Sequence, residues 1–374
     1  IAATLIITLA GLIYTVYGGI RTVIYSDVLQ AVVYVGAAIA VIAVLYSAIP
    51  GSLSDIVAAL SDPAPGEPSK LRIINTDVDF SGSGVFSIWS VLTGFVLLNI
   101  AAFGLDQDMT QRVLTCKDAK QGSKAMLLSV VMVIPVMLLF IVIGLLLYIY
   151  YQRPDIMAAG NAGTPVPEFA GEPVTIFMYY VLTEIPAGVK GLVTVGIVAA
   201  ALSTLNSGLN SMSSVLIQDI YRPWKLRRNK QVSDTHFVSA GRVGMTIVAA
   251  ALGLMACLCY YWQQYTNTPL LQFALGVMVF SYSGLLGVYF VTLFSRRGSP
   301  ATVTLALVAG FFTPLLMQPY VVAMLLPPAL QFELGFTWQL LIGTCVSTCI
   351  CLAGSTNEPI AQQRFEQSVP SGNK

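Results

Sequence analysis

The interpretation of this chain begins with the stretch Gly191–Pro223, which reads GLVTVGIVAAALSTLNSGLNSMSSVLIQDIYRP. It opens as an apolar run of helix length, yet eight of the twelve residues from Ser203 to Ser214 are Ser, Thr or Asn. In hydrocarbon no water satisfies such side chains, so they must face protein partners or a hydrated path. At 3.6 residues per turn, several of them share one helix face with a small residue. This polar face comprises Ala200, Ser203, Thr204, Ser207, Ser211 and Ser214.

Composition assigns the whole chain to a membrane. Of its 374 residues, 56% are apolar and only 10% are charged, and the mean hydropathy is +0.77. These values exclude a soluble single-core fold. The sequence predicts an all-α polytopic membrane protein with one transmembrane domain over residues 1–355 and a cytoplasmic tail at 356–374. The nine predicted spans are residues 1–18, 27–48, 87–105, 125–151, 189–217, 237–263, 269–294, 301–324 and 337–354.

The distribution of basic residues predicts the orientation. Lys and Arg prefer cytoplasmic loops, and placing the connection after the first span inside leaves few of the 19 basic residues outside. We therefore expect a multi-pass protein of the cytoplasmic (cell) membrane, with its first residue outside and its C-terminus in the cytoplasm. The basic residues expected outside are Lys70, Arg72, Arg153 and Lys190.

Several classes of function find no support. A net charge of +1 gives no reason to expect nucleic-acid binding. With a single histidine, His236, and no paired CxxC pattern among the six cysteines, zinc chemistry is not expected, and no metal other than sodium is predicted. Paired catalytic acids and a Ser-His pair are also lacking in the sequence, so we do not expect an enzyme.

The polar face has two interpretations from its residues alone. Small and hydroxylated residues hold membrane helices together by close packing and hydrogen bonds. Alternatively, the hydroxyls of Ser203 and Thr204, with the backbone carbonyl of Ala200, form part of a site for a hard monovalent cation. Such an ion needs several oxygen ligands in place of its hydration shell. The residues themselves leave both interpretations open.

Three segments in order resemble the sodium/solute symporter family, whose members carry sugars, proline, sialic acid and vitamins. Gly191–Pro223 resembles a signature helix of that family. Tyr14–Gln30, YTVYGGIRTVIYSDVLQ, is similar to its Y-T-x-x-G-G segment followed by a T/S-D-x-x-Q element, with mild departures at Ile20 and Thr22. Asp106–Leu114, DQDMTQRVL, is similar to its D-Q-x-x-x-Q-R motif.

The resemblance implies a leucine-transporter-like core of ten helices in two inverted five-helix halves. Span 1–18 matches the fourth core helix and span 189–217 the eighth, so we expect a chain truncated at its N-terminus. The implied function is sodium-coupled secondary active symport of a small organic solute by alternating access, with sodium as the coupling ion. The alternatives are a proton-coupled or uncoupled carrier, and a channel or sensor with the same fold. Neither the solute nor the oligomeric state is named by the sequence.

The resemblance also implies two sodium sites. The family's main site lies between the first and eighth core helices, and its eighth-helix half matches Ala200, Ser203 and Thr204. A second site, found in some members, would use the acid that matches Asp27. Its eighth-helix ligands would be Ser203, Asn206 and Ser207, although Asn206 stands where those members have Ser.

Asp27 has a second interpretation that needs no ion. Ser26 and Asp27 stand where the span 27–48 is predicted to begin. A cap and a favourable interaction with the helix dipole would explain both residues equally well.

Substrate contacts are implied in two spans. In span 87–105, the resemblance places Asn99 and Phe103 at the substrate site, although the amide of Asn99 could equally form an interhelical hydrogen bond. The aromatic gate of the sugar carriers is not reproduced at Ala102. On the tenth core helix, Phe280 replaces a sugar-binding Gln, with Ser283 nearby. We expect Asp106, Gln107, Gln111 and Arg112 to lie at the cytoplasmic mouth, where salt bridges and helix termination give them a structural role in preference to substrate contact.

Overall fold

A computed structural model describes residues 2–62, 69–157, 168–169, 172–228, 233–266 and 270–354. Apart from one small antiparallel pair, β1 (Glu168–Phe169) and β2 (Glu172–Pro173), the regular structure of these residues is helical. The helices are α1 (Ala2–Ala48), α2 (Leu53–Ser61), α3 (Ile88–Gly104), α4 (Gln107–Leu114), α5 (Ala119–Gln152), α6 (Ile176–Thr183), α7 (Ala187–Arg227), α8 (Asp234–Thr266), α9 (Leu270–Phe294), α10 (Pro300–Leu316), α11 (Pro319–Leu325) and α12 (Phe336–Leu352).

The helices confirm an all-α polytopic membrane protein. Five helices in the described ranges are long and apolar enough to cross a membrane, or seven when each of two bent pairs is one span. The bent pairs are α3 with α4, at 47°, and α10 with α11, at 81°. Two shorter apolar helical stretches, Ala2–Gly18 and Phe336–Leu352, coincide with the two remaining predicted spans.

The predicted connection between the first two spans is wrong. Residues 19–26 are helical, and α1 continues from Ala2 to Ala48. The segment has no proline, and a glycine inside a helix costs only about 1 kcal/mol, so nothing forces the helix to end. Asp27 therefore lies inside α1, and the interpretation of Ser26 and Asp27 as the start of a helix is also wrong.

Span 87–105 is not a regular α-helix throughout. Residues Val91–Phe95 form a π-helical segment inside α3, and the chain bends after Gly104, before α4 begins. Gly94 lies in the π-helical segment, where an added Cβ would be only 2.6 Å from the Cα of Thr337 on α12. Single π turns inside α-helices often mark functional sites. Here the segment also permits the close approach of α12.

The helices form two compact units. One contains residues 1–73 and 111–260, and α1 packs there along α7 and α5. Its core consists of aliphatic and tyrosine side chains such as Leu45, Ile149 and Tyr180. Gly196 of α7 permits this packing, since an added Cβ would lie 3.3 Å from the Cα of Tyr34 on α1.

The other unit contains residues 74–110 and those from 261 onward, and its principal contacts join α9, α10 and α12. Gly284, Gly310 and Gly343 lie where these three helices meet. A Cβ on Gly284 would be 2.9 Å from the carbonyl oxygen of Leu307 on α10. Without hydrophobic driving force between helices in lipid, such close backbone contact is a main source of association.

Candidate functional site

A carboxylate, a guanidinium and two hydroxyls meet in the first unit. Asp27 Oδ2 accepts a hydrogen bond from Arg112 Nη2 at 2.9 Å, and Asp27 Oδ1 accepts one from Ser203 Oγ at 2.7 Å. Arg112 also donates to the hydroxyl of Ser207. The side chain of Asp27 is only 12% exposed and that of Arg112 is 35% exposed. We call Asp27, Arg112, Ser203 and Ser207 the Asp27 cluster.

Helical geometry explains why these groups meet. Ser203 and Ser207 are four residues apart on α7, so they lie one above the other on the same face. Arg112 comes from α4, in the segment DQDMTQRVL, and the neighbouring Gln111 accepts a hydrogen bond from Asn210 Nδ2 at 3.2 Å. The cluster thus joins the three segments that carry the family resemblance. The salt bridge expected of Arg112 is present, but the sequence did not identify Asp27 as its partner.

Asn206 does not join the other predicted ligands of the second sodium site. Its Oδ1 accepts a hydrogen bond from Thr15 Oγ1 at 3.0 Å, and both side chains are buried. Asn206 is one residue away from Ser207, so it points about 100° around the helix from the face that meets Asp27. The oxygen expected to bind sodium is instead part of the contact between α7 and α1.

We expect Thr15→Val to lower the stability of the protein without changing its response to sodium. The substitution leaves the buried Asn206 oxygen without a donor, which costs about 1–3 kcal/mol. Thr15→Ser retains the hydroxyl and is the matched control. Thermal unfolding and sodium-22 binding of the purified protein check this result. A changed sodium affinity with unchanged stability would return Asn206 to the ion site.

Two predicted ligands of the main sodium site, Ala200 and Thr204, are joined by a hydrogen bond on α7. Thr204 Oγ1 donates to the carbonyl oxygen of Ala200 at 3.3 Å, and both residues are exposed in the described part of the chain. Ser203 lies one residue before Thr204 and bonds to Asp27, so it belongs to both predicted ligand sets. The two predicted sites are therefore adjacent on α7 and share one hydroxyl.

The C-terminal part of the polar face has a packing role. Ser211 Oγ donates to the carbonyl of Ser207 at 2.9 Å, and Ser214 Oγ donates to that of Asn210 at 2.8 Å. Ser213 Oγ reaches the carbonyl of Gly241 on α8 at 3.0 Å. These hydroxyls satisfy their hydrogen bonds on backbone atoms, so the packing interpretation applies to this part of the polar face.

Two predicted substrate residues lie on α3 in the second unit. Asn99 is exposed, and its Nδ2 donates to the carbonyl of Phe95 at 2.8 Å. This bond is made within its own helix, and the described residues provide no interhelical hydrogen bond to Asn99. Phe103 lies one turn further along α3 and is half-buried.

The other two predicted substrate residues, on α9, have different surroundings. Phe280 lines a cavity of about 630 Å³, and its ring centroid lies 5.7 Å from that of Trp262 and 5.6 Å from that of Phe311. Ser283 is fully buried, and its hydroxyl donates to the carbonyl of Val279 at 2.8 Å. Ser283 does not line the cavity, because it faces Gly343 where α9 and α12 pack. Its placement indicates helix packing.

The cavity beside Phe280 combines aromatic surface with amides and one carboxylate, all within the second unit. Trp262, Tyr265 and Tyr320 supply the aromatic rings, and Glu333 supplies the carboxylate. Mostly apolar cavities with a few polar groups are usual sites for small molecules. Of this set only Phe280 was predicted from the sequence, because aromatic residues in apolar spans carry no pattern that separates cavity lining from packing.

Fold and site together define a polytopic α-helical membrane protein with a charged, hydroxyl-rich centre between its helices. The sequence profile of the Sodium:solute symporter family matches residues 1–298. The chain belongs to this family, and its all-α, leucine-transporter-like fold agrees with that membership.

Characterised relatives are carriers. The sodium/sialic acid symporter SiaT of Proteus mirabilis is 26% identical over 83% of this chain and 58% of its own length. The sodium/sialic acid symporter NanT of Aliivibrio fischeri is 28% identical over 81% of this chain and 56% of its own length. The sodium/glucose cotransporter of Vibrio parahaemolyticus is 25% identical over 92% and 62%. The chain thus spans less than two thirds of the length of each of these relatives.

A solved structure has the same fold. It is the substrate-bound outward-open state of a Na+-coupled sialic acid symporter, described as revealing a novel Na+ site. The TM-score is 0.70 at 22% identity, over 95% of this chain and 68% of that one.

Proposed function

We propose that the protein is a sodium-coupled secondary active symporter, which carries a small organic solute across the cytoplasmic membrane by alternating access. The observation that carries the proposal is the run of oxygens on α7, from Ala200 through Thr204 to the Asp27 cluster. Neutral hydroxyls and carbonyls replace the hydration shell of a monovalent cation without holding it too tightly for release. Family membership and the sodium-coupled relatives support the same ion.

Two sodium positions are proposed. At the first, the Ser203 and Thr204 hydroxyls and the Ala200 carbonyl bind the ion from one side, and further oxygens complete its shell. At the second, Asp27 supplies a formal negative charge together with Ser203 and Ser207. An ionisable side chain half-buried between membrane helices is a functional candidate, because it is expensive to keep there.

Coupling needs no covalent chemistry. Sodium that binds more tightly to the outward-open state shifts the conformational equilibrium towards that state, and a solute that prefers the same state then binds more tightly. Alternating access would then release both to the cytoplasm, where the predicted C-terminal tail lies. The solute contacts proposed are Asn99, Phe103 and Phe280, with the cavity beside Phe280 as the place where an organic solute meets aromatic surface.

We expect uptake to require sodium and to weaken when the α7 oxygens are removed. The test reconstitutes the protein, expressed from its complete gene, in liposomes and measures uptake of radiolabelled sialic acid, glucose and lactate with an inward sodium or choline gradient. Ser203→Ala with Thr204→Ala should raise the half-saturating sodium concentration about thirtyfold, because each of the two lost ligands weakens binding by about 1 kcal/mol.

Two controls separate the causes. Thr204→Ala alone leaves the Asp27 cluster intact, so a higher half-saturating sodium concentration in this variant reports on the first sodium position. Ser211→Ala removes a hydroxyl that bonds only to backbone in α7 and should leave the sodium dependence unchanged. Uptake that is indifferent to sodium would reject the coupling proposal, and uptake driven instead by a proton gradient would favour a proton-coupled carrier.

A further inference from the structure

Arg112 occupies the position in which a cation at Asp27 would sit. Its Nη2 lies 2.9 Å from Asp27 Oδ2, and the same nitrogen donates to the Ser207 hydroxyl. Asp27 and Ser207 are two of the oxygen donors assigned above to the second sodium. The guanidinium therefore uses the ligands that this sodium would need.

Charge makes the two cations mutually exclusive. Asp27 and Arg112 form an ion pair, so adding sodium to the intact pair would place a second positive charge beside the guanidinium, where Asp27 is 12% exposed. Charges this far removed from water are strongly disfavoured unless they are paired. In addition, Asp27 Oδ2 and Arg112 Nη2 are 2.9 Å apart, which leaves no room for an ion between them. Sodium can bind Asp27 only after the guanidinium withdraws.

Because Arg112 lies in α4, the exchange of its guanidinium for sodium at Asp27 affects the packing of this helix. Arg112 lies in α4, which follows the 47° bend after α3, and Gln111 beside it bonds to Asn210 of α7. Withdrawal of the guanidinium thus breaks the contacts of α4 with Asp27 of α1 and with Ser207 of α7. Ion binding at Asp27 is tied to the position of α4, because Asp27 cannot bind the Arg112 guanidinium and sodium at the same time.

We propose that Arg112 is a tethered cation that competes with sodium for Asp27, so that sodium binding at this position and the docking of α4 are alternatives. The inference rests on the proposed function and deepens it. It assigns to Arg112 control over the affinity and number of bound sodium ions. A salt bridge that serves only to hold helices together would make no such link to sodium.

The experiment measures sodium-22 binding to the complete purified protein in detergent, without solute. Arg112→Gln removes the competing charge and should tighten the Asp27-dependent sodium site about tenfold, the effect of losing one charge-assisted hydrogen bond. Arg112→Lys keeps the charge but lacks the planar fork that bridges Asp27 and Ser207, so its gain should be about two- to threefold. Arg242→Gln, an exposed arginine on α8, is the matched control and should change nothing.

The double variant Asp27→Asn with Arg112→Gln identifies the site. The gain in sodium affinity should vanish, because the carboxylate for which the two cations compete is gone. A gain that persists in the double variant overturns the proposal, as does unchanged or weaker sodium binding in Arg112→Gln. If Arg112→Gln fails to fold, Arg112→Leu, which also removes the charge, carries the test, and no gain in sodium affinity there overturns the proposal equally.

Failure of the inference and failure of the proposed function give different results. If the unaltered protein binds sodium and Arg112→Gln gives no gain, only the competition is wrong. If neither protein binds sodium, and uptake is also independent of it, the proposed sodium coupling itself is wrong.

Discussion

Asp27→Asn is expected to destabilise the protein and to remove one sodium ion from the transport stoichiometry. The substitution leaves the Arg112 guanidinium facing a neutral amide at a position where Asp27 is 12% exposed. Loss of one partner of a buried charge pair is strongly destabilising, but Arg112 keeps 35% exposure, so we expect about 1–3 kcal/mol. Thermal unfolding and the ratio of sodium to solute in proteoliposomes measure the two effects.

A double-mutant cycle separates the structural role of Asp27 from its proposed ion role. In Asp27→Asn with Arg112→Gln the guanidinium no longer faces a neutral amide, so stability should recover towards that of the unaltered protein. The sodium stoichiometry should stay reduced, since Arg112→Gln restores no ion ligand. Asp155→Asn is a suitable comparison, because Asp155 is paired with Arg153 but is 56% exposed, and surface pairs contribute little. Additive losses of stability would contradict the coupling of Asp27 with Arg112.

The other large effect is expected for Gly310→Ala in the second unit. A Cβ at this position would overlap the backbone of Gly284 and lie 3.1 Å from the carbonyl carbon of Ser283. Backbone atoms of a packed helix cannot yield as a side-chain end can, so α10 must move away from α9. Overpacking of this kind typically costs 1–3 kcal/mol and occasionally more, and we expect about 3 kcal/mol. Thermal unfolding of the detergent-solubilised protein measures the loss.

Gly276→Ala is the control for this prediction. Gly276 lies on α9, the helix that Gly310 meets, but a Cβ there would be 4.0 Å from its nearest neighbour, the Cβ of Phe336. Alanine is the better helix former by roughly 1 kcal/mol, so this variant should be as stable as the unaltered protein or slightly more stable. Equal destabilisation by both substitutions would show that steric overlap at Gly310 is not the cause.

The sequence by itself determined the class of protein, the positions of the apolar spans and the polar face of α7. These features can be read from each segment alone, because a segment that spans the hydrocarbon must be apolar over its own length and must satisfy its own backbone hydrogen bonds. Helical periodicity then places Ser203 and Ser207 on one face. The motif segments also indicated the family, which the profile match over residues 1–298 confirms. The inside and outside assignment of the loops and the sodium ligands stay predictions.

Only the tertiary structure decided which polar groups satisfy one another. Arg112 and Asp27 are 85 residues apart, and Thr15 and Asn206 are 191 apart, so no local pattern pairs them. Whether Ser283 lines a cavity or packs against a glycine likewise depends on the neighbouring helix. A hydroxyl, an amide or a charge in a span needs a partner, but the sequence of its own segment does not identify that partner. The approach of other helices selects the partner.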